Sequence, residues 1–566
     1  MAAVSHGERR IRRHFVHVDG RAVHYRRVGQ GPALVMLPAA PLSGAALASR
    51  MQTLADRWTV IALDTPGYGR SAALPVMQPS VDDYADALEQ TLRALGLGRV
   101  VLYGRHSGAC IAVALAVRAP DRVVAIWCDG YPVTGDAGPA AGHGGAVETV
   151  APAWDGSHLT WHWYRQREEF IHWPGPDGED DGRADTDLPA PDELHRGTLD
   201  RLTATPCHTA AAAAVGRIDV RASLARVSCP VLFAARPGDA FYRAVRALPA
   251  LPAYMQVVAV PRDAAAAATM ARDSLERFTS GMAQAPPPPA GGAGPGYLDG
   301  PYGELAIECG GAGDGPPWLL LPPAPGASVL LDGEGERHRP PGPWVSVDLP
   351  GHGDSAPASD ELHRLAAYAE AIEWVCHELA LSDPMIHGSG TGAAVALELA
   401  LRRRVCPRLL TLDDLPLLED DDREDWLARL ALDLTPTPEG AHLLRAWHQL
   451  RDLALWTPAR AGRRGAIRHE GPSVAAQALQ RRVLPVLQHP ESHAAGWQAL
   501  LAENLLWRLD VLSIPTLGVS RPDASLGRLD AAVADRPAAG GRMLQQAAGV
   551  SPLASTTAAA SAWVTL

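Results

Sequence analysis

The fold of this chain is indicated by an eight-residue stretch that occurs twice, as DTPGYGRS at Asp64–Ser71 and as DLPGHGDS at Asp348–Ser355. The two copies lie 284 residues apart, and the same separation relates LPAAP at Leu37–Pro41 to LPPAP at Leu321–Pro325. A fixed separation that returns at several motifs is typical of an internal repeat. The sequence therefore predicts two copies of one structural unit.

The repeat predicts two domains joined by a linker. A chain of 566 residues is several times longer than the ~150 residues of an average domain. Residues 283–296 are Pro-rich and then Gly-rich, which is typical of a linker. We therefore predict domain 1 over residues 1–282 and domain 2 over residues 297–566. Long insertions between the sixth and seventh strands, at about 134–227 and 417–512, are typical of a cap.

Composition excludes several classes of function. Hydrophobic residues make up 47% of the chain and charged residues 20%, which is typical of a globular protein. The formal net charge is −12 and no long basic run occurs, so nucleic acid is not an expected partner. The chain has no lysine, and this excludes Schiff-base catalysis and a phosphate-binding P-loop, since both need a lysine amine.

Cysteine usage and hydropathy predict a reduced, cytoplasmic protein. The seven cysteines form no C-x-x-C pair, so neither a zinc site nor a disulfide framework is expected. The N-terminus lacks the apolar segment of a signal peptide, and no stretch approaches the ~18 apolar residues of a membrane span. No G-x-G-x-x-G opens a nucleotide-binding unit. We therefore expect no membrane partner, no metal and no cofactor.

Apolar β-type runs alternate with helical patterns in each half, as the βαβ units of a largely parallel sheet require. In the first half the predicted strands are Ala33–Leu37, Thr59–Leu63, Val100–Tyr103, Val123–Cys128 and Val231–Ala235, with a helix at Gly108–Arg118. In the second half they are Val345–Val347, Pro384–His387, Leu409–Leu412 and Pro515–Val519, with a helix at Gly392–Arg404.

In their order along the chain, these landmarks resemble the α/β-hydrolase superfamily. They are a turn after strand three, the D-x-P-G-x-G-x-S stretch, and a G-x-x-x-G turn before a helix of small residues. The resemblance covers both halves. It implies an α/β fold, duplicated in tandem, in which each mostly parallel sheet is flanked by helices and carries a helical cap. It also implies a nucleophile at the centre of a G-x-S-x-G elbow, followed by an acid and a general-base histidine.

The elbows of this chain depart from that pattern. They read GRHSG at Gly104–Gly108 and GSGTG at Gly388–Gly392, so His106 and Gly390 stand at the nucleophile position. Moving the register by one residue, so that Ser107 becomes the nucleophile, would replace the flanking glycines and crowd the contact between strand and helix. The resemblance therefore implies degenerate elbows in both halves.

Acids are present where the resemblance implies them, but the histidine is not. Asp239 follows strand seven of the first half, and Asp129 follows strand six. Either carboxylate is also compatible with a loop residue that bonds its own backbone. No histidine occurs at residues 257–268 or 546–552, where the general base is expected. An ordinary Ser-His-Asp triad is thus absent from both halves.

His106 is the main candidate for chemistry in the first half. A histidine at the elbow, oriented by Asp239 or Asp129, would act as a general base or as a nucleophile. The backbone N–H groups of Ala40 and Ser107 would supply an oxyanion hole, unless these turns simply face water. The alternative is that His106 only fills space. Gly390 has no side chain, so the second half is expected to be structural or a binding module.

The cap supplies a candidate binding surface. Trp163 and Arg167 lie four residues apart on one helical face, where they would contact a small hydrophobic ligand or substrate. The alternative is that this face only packs against its own domain. Two functions follow: a hydrolase-derived enzyme that acts on a small hydrophobic ester or carbonyl compound through His106, or a non-catalytic pseudo-hydrolase that binds a ligand or partner. In both we expect the two halves to pair within the chain.

Overall fold

The computed structural model describes residues 9–133, 150–172, 184–204, 207, 209–248, 251–331, 339–357, 362–417, 420–456, 464–469, 473–520, 542–545 and 553. The strands within these ranges are β1 Arg12–Val18, β2 Arg21–Val28, β3 Ala33–Leu37, β4 Thr59–Leu63, β5 Val100–Arg105, β6 Val123–Asp129, β7 Val231–Ala235, β8 Met255–Ala259, β9 Gly294–Gly300, β10 Gly303–Gly310, β11 Trp318–Leu321, β12 Trp344–Val347, β13 Met385–Ser389, β14 Leu409–Asp413, β15 Thr516–Ser520 and β16 Arg542–Gln545.

The α-helices are α1 Ala48–Leu54, α2 Val81–Ala94, α3 Ser107–Arg118, α4 Ser157–Glu168, α5 Pro191–Thr203, α6 Ala210–Gly216, α7 Val220–Leu224, α8 Tyr242–Arg246, α9 Ala264–Thr279, α10 Leu365–Glu378, α11 Thr391–Arg402, α12 Asp420–Leu430, α13 Ala441–Leu455, α14 Ala476–Leu487, α15 Ala495–Leu501 and α16 Leu505–Asp510. Short 3-10 turns lie at Gly44–Leu47, Ser328–Leu331 and Arg464–Ala466.

Two mostly parallel sheets are built from these strands. The first sheet has the strand order β1-β2-β4-β3-β5-β6-β7-β8. The second has the same order, β9-β10-β12-β11-β13-β14-β15-β16. In each sheet only the hairpin at one edge and its junction with the next strand are antiparallel. The predicted fold class, a tandem duplication of an α/β-hydrolase-like domain, is confirmed.

Helices cover both faces of the first sheet. Strands β3, β4 and β7 are buried along their whole length, because apolar side chains point to both faces. One face packs against α2 and α3, and the other packs against α1 and α9. Helices α4–α7 lie in the insertion between β6 and β7 that we predicted as a cap, and α12–α16 lie in the corresponding insertion of the second sheet.

The chain divides into two compact units, residues 1–150 with 161–291, and residues 151–160 with 292–566. The division at 291 falls inside the predicted linker, although β9 already begins at Gly294. The sequence placed residues 151–160 in domain 1, but the structure groups them with the second unit, to which they are hydrogen-bonded. The indole N–H of Trp447 donates to the carbonyl oxygen of Trp154 (3.1 Å), and Nε2 of His158 lies 2.9 Å from Oε1 of Gln480.

Candidate active site

The elbow of the first unit is centred on His106, between β5 and α3. Its backbone dihedrals, φ 48° and ψ −113°, lie in a region that a residue with a Cβ rarely adopts. Backbone hydrogen bonds hold this turn: the His106 N–H donates to the Asp129 carbonyl (3.1 Å), and the His106 carbonyl accepts from the N–H groups of Ala109 (2.9 Å) and Cys110 (3.4 Å). The backbone is therefore that of an elbow, with a histidine at its centre.

The two flanking glycines explain why the elbow has this register. A Cβ at Gly104 would lie 2.5 Å from the backbone of Ala109, and a Cβ at Gly108 would lie 2.5 Å from the carbonyl oxygen of Leu37. Both approaches are closer than any real contact, so neither position accepts a side chain. Ser107 is the first residue of α3, and it does not occupy the centre of the turn.

A short hydrogen bond joins the elbow to the loop after β7. Nε2 of His106 lies 2.8 Å from Oδ2 of Asp239, and the other carboxylate oxygen accepts the N–H of Phe241 (2.9 Å). The ring of Phe241 meets the imidazole edge to face at 4.9 Å. The Asp239 side chain is 2% exposed and that of His106 is 22% exposed. The imidazole is thus held in place and remains reachable.

The charge of Asp239 depends on its neighbours. Burial of this carboxyl opposes ionisation, but His106 and then Arg105 outweigh burial and lower the pKa of Asp239. Gly130 leaves the room that the pair needs, because a Cβ there would lie 2.6 Å from Cδ2 of His106 and 2.7 Å from Oδ1 of Asp239. Sequence reasoning missed Gly130 and Phe241, neither of which belongs to a motif.

Asp129 faces a different set of partners. Its carboxylate accepts from the hydroxyl of Tyr103 (2.6 Å) and from Nη2 and Nε of Arg236 (3.1 and 3.4 Å). Nη2 of Arg50 lies 3.3 Å away. Burial raises the pKa of this carboxyl, and the surrounding arginines lower it well below its usual range. Of the two acids that the sequence placed near the elbow, Asp239 bonds the imidazole, and Asp129 contributes its backbone carbonyl.

The predicted oxyanion-hole residues lie together, but one donor is already used. The N–H of Ala40 donates to Oγ of Ser107 at 2.8 Å. We expected this N–H to be available to a substrate or to water, so the structure differs at this point. The physical reason is that Ser107 begins α3 beside the turn after β3, which brings its hydroxyl oxygen within hydrogen-bond distance of this N–H.

The second unit keeps the elbow backbone without a reactive side chain. Gly390 has φ 55° and ψ −120°, and its N–H donates to the Asp413 carbonyl (2.9 Å). A Cβ on Gly390 would lie 3.2 Å from Cβ of Pro323, so little space remains above it. The hydroxyl of Thr391 donates to the carbonyl oxygen of Ala324 (2.6 Å). Asp523, which lies 284 residues after Asp239 and is the corresponding acid predicted for this half, lies outside the described residues.

The predicted binding residues of the cap both belong to α4. Trp163 is fully buried, as is Leu159 one turn before it, and Arg167 is half-buried. A fully buried indole stabilises the packing of α4. A role of Trp163 and Arg167 in ligand binding remains a prediction.

The described part of the chain shows neither a metal-binding cluster nor a helix that could span a membrane. No group of three His, Cys, Asp or Glu side chains in these ranges lies close enough together to hold a metal ion. None of the helices described is both long enough and apolar enough to cross a bilayer.

The first unit is similar in sequence to known hydrolases over part of its length. Residues 32–177 match the family model of the alpha/beta hydrolase fold. The chain is 30% identical over 105 residues to (E)-2-((N-methylformamido)methylene)succinate hydrolase of Acinetobacter baylyi, which covers 19% of this chain and 40% of the relative. It is 33% identical over 133 residues to the pimeloyl-acyl-carrier-protein methyl ester esterase of Chromobacterium violaceum, covering 23% of this chain and 50% of the relative.

The matches span half or less of these curated relatives. Among solved structures, E-2-(acetamidomethylene)succinate hydrolase is similar with 20% identity and a TM-score of 0.36, covering 48% of this chain and 100% of that one.

Proposed function

Because residues 32–177 match the alpha/beta hydrolase fold, we propose that the first unit is a hydrolase-derived enzyme. In this proposal His106, held by Asp239, is the general base that acts on a small hydrophobic ester or carbonyl compound. The observation that carries the proposal is the 2.8 Å contact between Nε2 of His106 and Oδ2 of Asp239. An acid that usually orients a separate histidine here orients the elbow residue itself.

The contact with Asp239 determines which ring nitrogen of His106 carries the proton. A carboxylate that accepts a hydrogen bond at Nε2 fixes the proton on that nitrogen, so Nδ1 carries the lone pair. Nδ1 of His106 then removes a proton from a water molecule, and the resulting hydroxide attacks the ester carbonyl. The imidazolium that forms is stabilised by Asp239, and it returns the proton to the leaving alcohol as the carbon–oxygen bond breaks.

Ester hydrolysis gives a direct test. We would measure initial rates on p-nitrophenyl esters of increasing acyl length, at pH 6 to 8, for the wild type and for His106→Ala. Loss of a positioned general base lowers the rate roughly 10²- to 10⁴-fold. Asp239→Asn should lower it as well. The control is His377→Ala, because the His377 side chain is 86% exposed in the second unit.

A second function is favoured by one specific contact. The bond from the Ala40 N–H to Oγ of Ser107 occupies a donor that carbonyl chemistry would use. This favours a non-catalytic pseudo-hydrolase that binds a ligand. Equal rates for wild type and His106→Ala, at the level of the buffer, would favour that function over the enzyme. We propose that the second unit, with Pro323 close above Gly390, is structural.

A further inference from the structure

Three arginines from different elements surround the carboxylate of Asp129. Arg50 comes from α1, Arg105 ends β5, and Arg236 follows β7. We propose that Arg50 and Arg236 form an anion-binding subsite beside the elbow, and that the substrate carries a carboxylate or phosphate group that binds there. The statement that the anion belongs to a substrate rests on the proposed function, whereas the anion site itself does not.

The first argument is the number of hydrogen-bond donors. Each guanidinium has five N–H groups, whereas a carboxylate has two oxygens. The Asp129 carboxylate accepts hydrogen bonds from the hydroxyl of Tyr103 and from two nitrogens of Arg236, and it pairs with one nitrogen of Arg50. The two guanidinium groups therefore have more donors than this carboxylate can accept.

The second argument is charge. Arg50, Arg105 and Arg236 bring three positive charges, and Asp129 and Asp239 bring two negative ones, so one positive charge is left over. This excess lies in a chain whose formal net charge is −12. A local positive site on an acidic chain attracts small anions selectively to that position.

Access is the third argument. The Asp129 side chain is 2% exposed, but those of Arg50 and Arg236 are 26% and 29% exposed. The carboxylate is thus buried, whereas the two arginine side chains that bond it are partly exposed. Planar guanidinium groups bind carboxylate and phosphate oxygens through paired N–H bonds. Arg50 and Arg236 both carry such a group on a partly exposed side chain.

The second unit lacks the equivalent of the Arg105 charge at the residue before its elbow centre. The residue before the elbow centre is Arg105 in the first unit and Ser389 in the second. The hydroxyl of Ser389 donates to Oδ2 of Asp413 at 3.0 Å and brings no positive charge. An arginine at this position, Arg105, is thus found in the unit whose elbow carries the imidazole of His106.

The subsite and the imidazole are connected through the backbone. The carbonyl oxygen of Arg236 accepts the N–H of Asp239 (3.1 Å), so both belong to one turn after β7. Arg105 directly precedes His106. An anionic group held by Arg50 and Arg236 would therefore place the remainder of a small substrate near the imidazole.

Calorimetry tests this inference without turnover. We would titrate the full chain with inorganic phosphate and, separately, with acetate, at constant ionic strength. The main variant is Arg50→Gln, because Asp129 keeps Tyr103 and Arg236 in it. The matched control is Arg57→Gln, which removes the same charge just after α1, where Arg57 pairs with Glu276 on the surface.

The inference requires saturable binding of at least one anion to the wild type. Loss of a charged donor in Arg50→Gln should weaken that binding roughly tenfold or more. Arg57→Gln should bind like the wild type. Whichever of phosphate and acetate binds more tightly identifies the charged group.

Three results would overturn the inference: no binding to the wild type, no weakening in Arg50→Gln, or the same weakening in Arg57→Gln. If Arg50→Gln unfolds, Arg236→Lys replaces it, since lysine keeps the charge and loses the paired donors. His106→Ala should still bind the anion. Failure of the anion site and failure of the proposed catalysis are therefore distinguishable.

Discussion

The backbone N–H of His106 lies 3.1 Å from the carbonyl oxygen of Asp129. This bond ties the strained residue of the elbow to the last residue of β6, whose side chain in turn holds Arg50 and Arg236. Asp129 thus links the elbow to the loop after β7 that carries Asp239. It positions the imidazole through the backbone and does not contact the ring as its acid.

Asp129→Asn should destabilise the first unit. The substitution keeps the shape of the side chain but removes the charge that Arg50 and Arg236 face. Breaking a largely buried ion pair of this kind costs about 2–4 kcal/mol of unfolding free energy. Thermal unfolding of the full chain would measure the loss. The control is Asp86→Asn, since Asp86 pairs with Arg118 at the surface (2.7 Å), where a pair contributes about 0–1 kcal/mol. Equal effects in both variants would contradict this role of Asp129.

The strain at the elbow predicts an order of stability between two variants of the same residue. Both His106→Ala and His106→Gly lose the bond to Asp239, but only glycine adopts φ 48° without a steric penalty. His106→Gly should therefore be more stable than His106→Ala by ~1 kcal/mol. Thermal unfolding of the two variants side by side measures the difference. A lower melting temperature for His106→Gly would show that the turn is not strained.

The reverse substitution in the second unit supplies a companion experiment. Gly390→Ala should be destabilising, because the residue has φ 55° and the new Cβ would lie 3.2 Å from Cβ of Pro323. The loss should exceed the difference between the two variants of His106. A neutral effect would mean that the turn around Pro323 moves aside.

The sequence predicts the position of the elbow because two of its residues must be glycine for steric reasons. Gly104 and Gly108 are required by contacts with Ala109 and Leu37 that a Cβ would violate. Their spacing alone therefore places His106 at the centre. The strands Ala33–Leu37, Thr59–Leu63 and Val231–Ala235 were predicted with the observed bounds, because continuous apolar runs mark strands that are buried on both faces.

The partner of His106 could not be chosen from the sequence. Asp129 and Asp239 both follow buried strands, so both were candidates. The side chain of Asp129 shares a sheet face with Trp127, two residues earlier, and that face packs against α1. Because the Asp129 side chain points to this face, its carboxylate lies beside Arg50 of α1. The bond between Ala40 and Ser107 was equally hidden, because it joins residues 67 positions apart.

The buried carboxyl group of Asp200 should make the stability of the first unit depend on pH. Burial raises the pKa of this carboxyl to about 6, while the Ser43 N–H, which bonds Oδ2 at 2.8 Å, opposes the rise. The unfolded value is ~3.9. Because the folded pKa is the higher one, this group favours folding most below pH ~4, and stability falls as the pH rises to about 6.

Asp200→Asn should flatten that dependence. Asparagine keeps an acceptor for Ser43 and does not ionise, so the variant should gain roughly 3 kcal/mol over the wild type at pH 7 and little at pH 4. Urea unfolding at a series of pH values measures both. The control is Asp192→Asn, in the exposed first turn of the same helix. A parallel pH dependence in wild type and Asp200→Asn would assign the effect to another group.

Ser107→Ala tests whether the elbow can still polarise a carbonyl. The Ser107 hydroxyl accepts the Ala40 N–H at 2.8 Å, and its removal leaves that donor for a substrate oxygen. A single oxyanion-hole donor changes kcat by about 10²- to 10³-fold in hydrolases. We therefore expect a higher kcat for p-nitrophenyl esters in Ser107→Ala, with the gain abolished by adding His106→Ala.

The matched control for this variant is Ser389→Ala, which removes the hydroxyl that bonds Asp413 in the second unit. It should leave the rate unchanged. A lower rate in Ser107→Ala, at unchanged melting temperature, would mean that the hydroxyl takes part in the reaction. In that case the bond to Ala40 positions Ser107 for chemistry, and it would not be a block on the oxyanion hole.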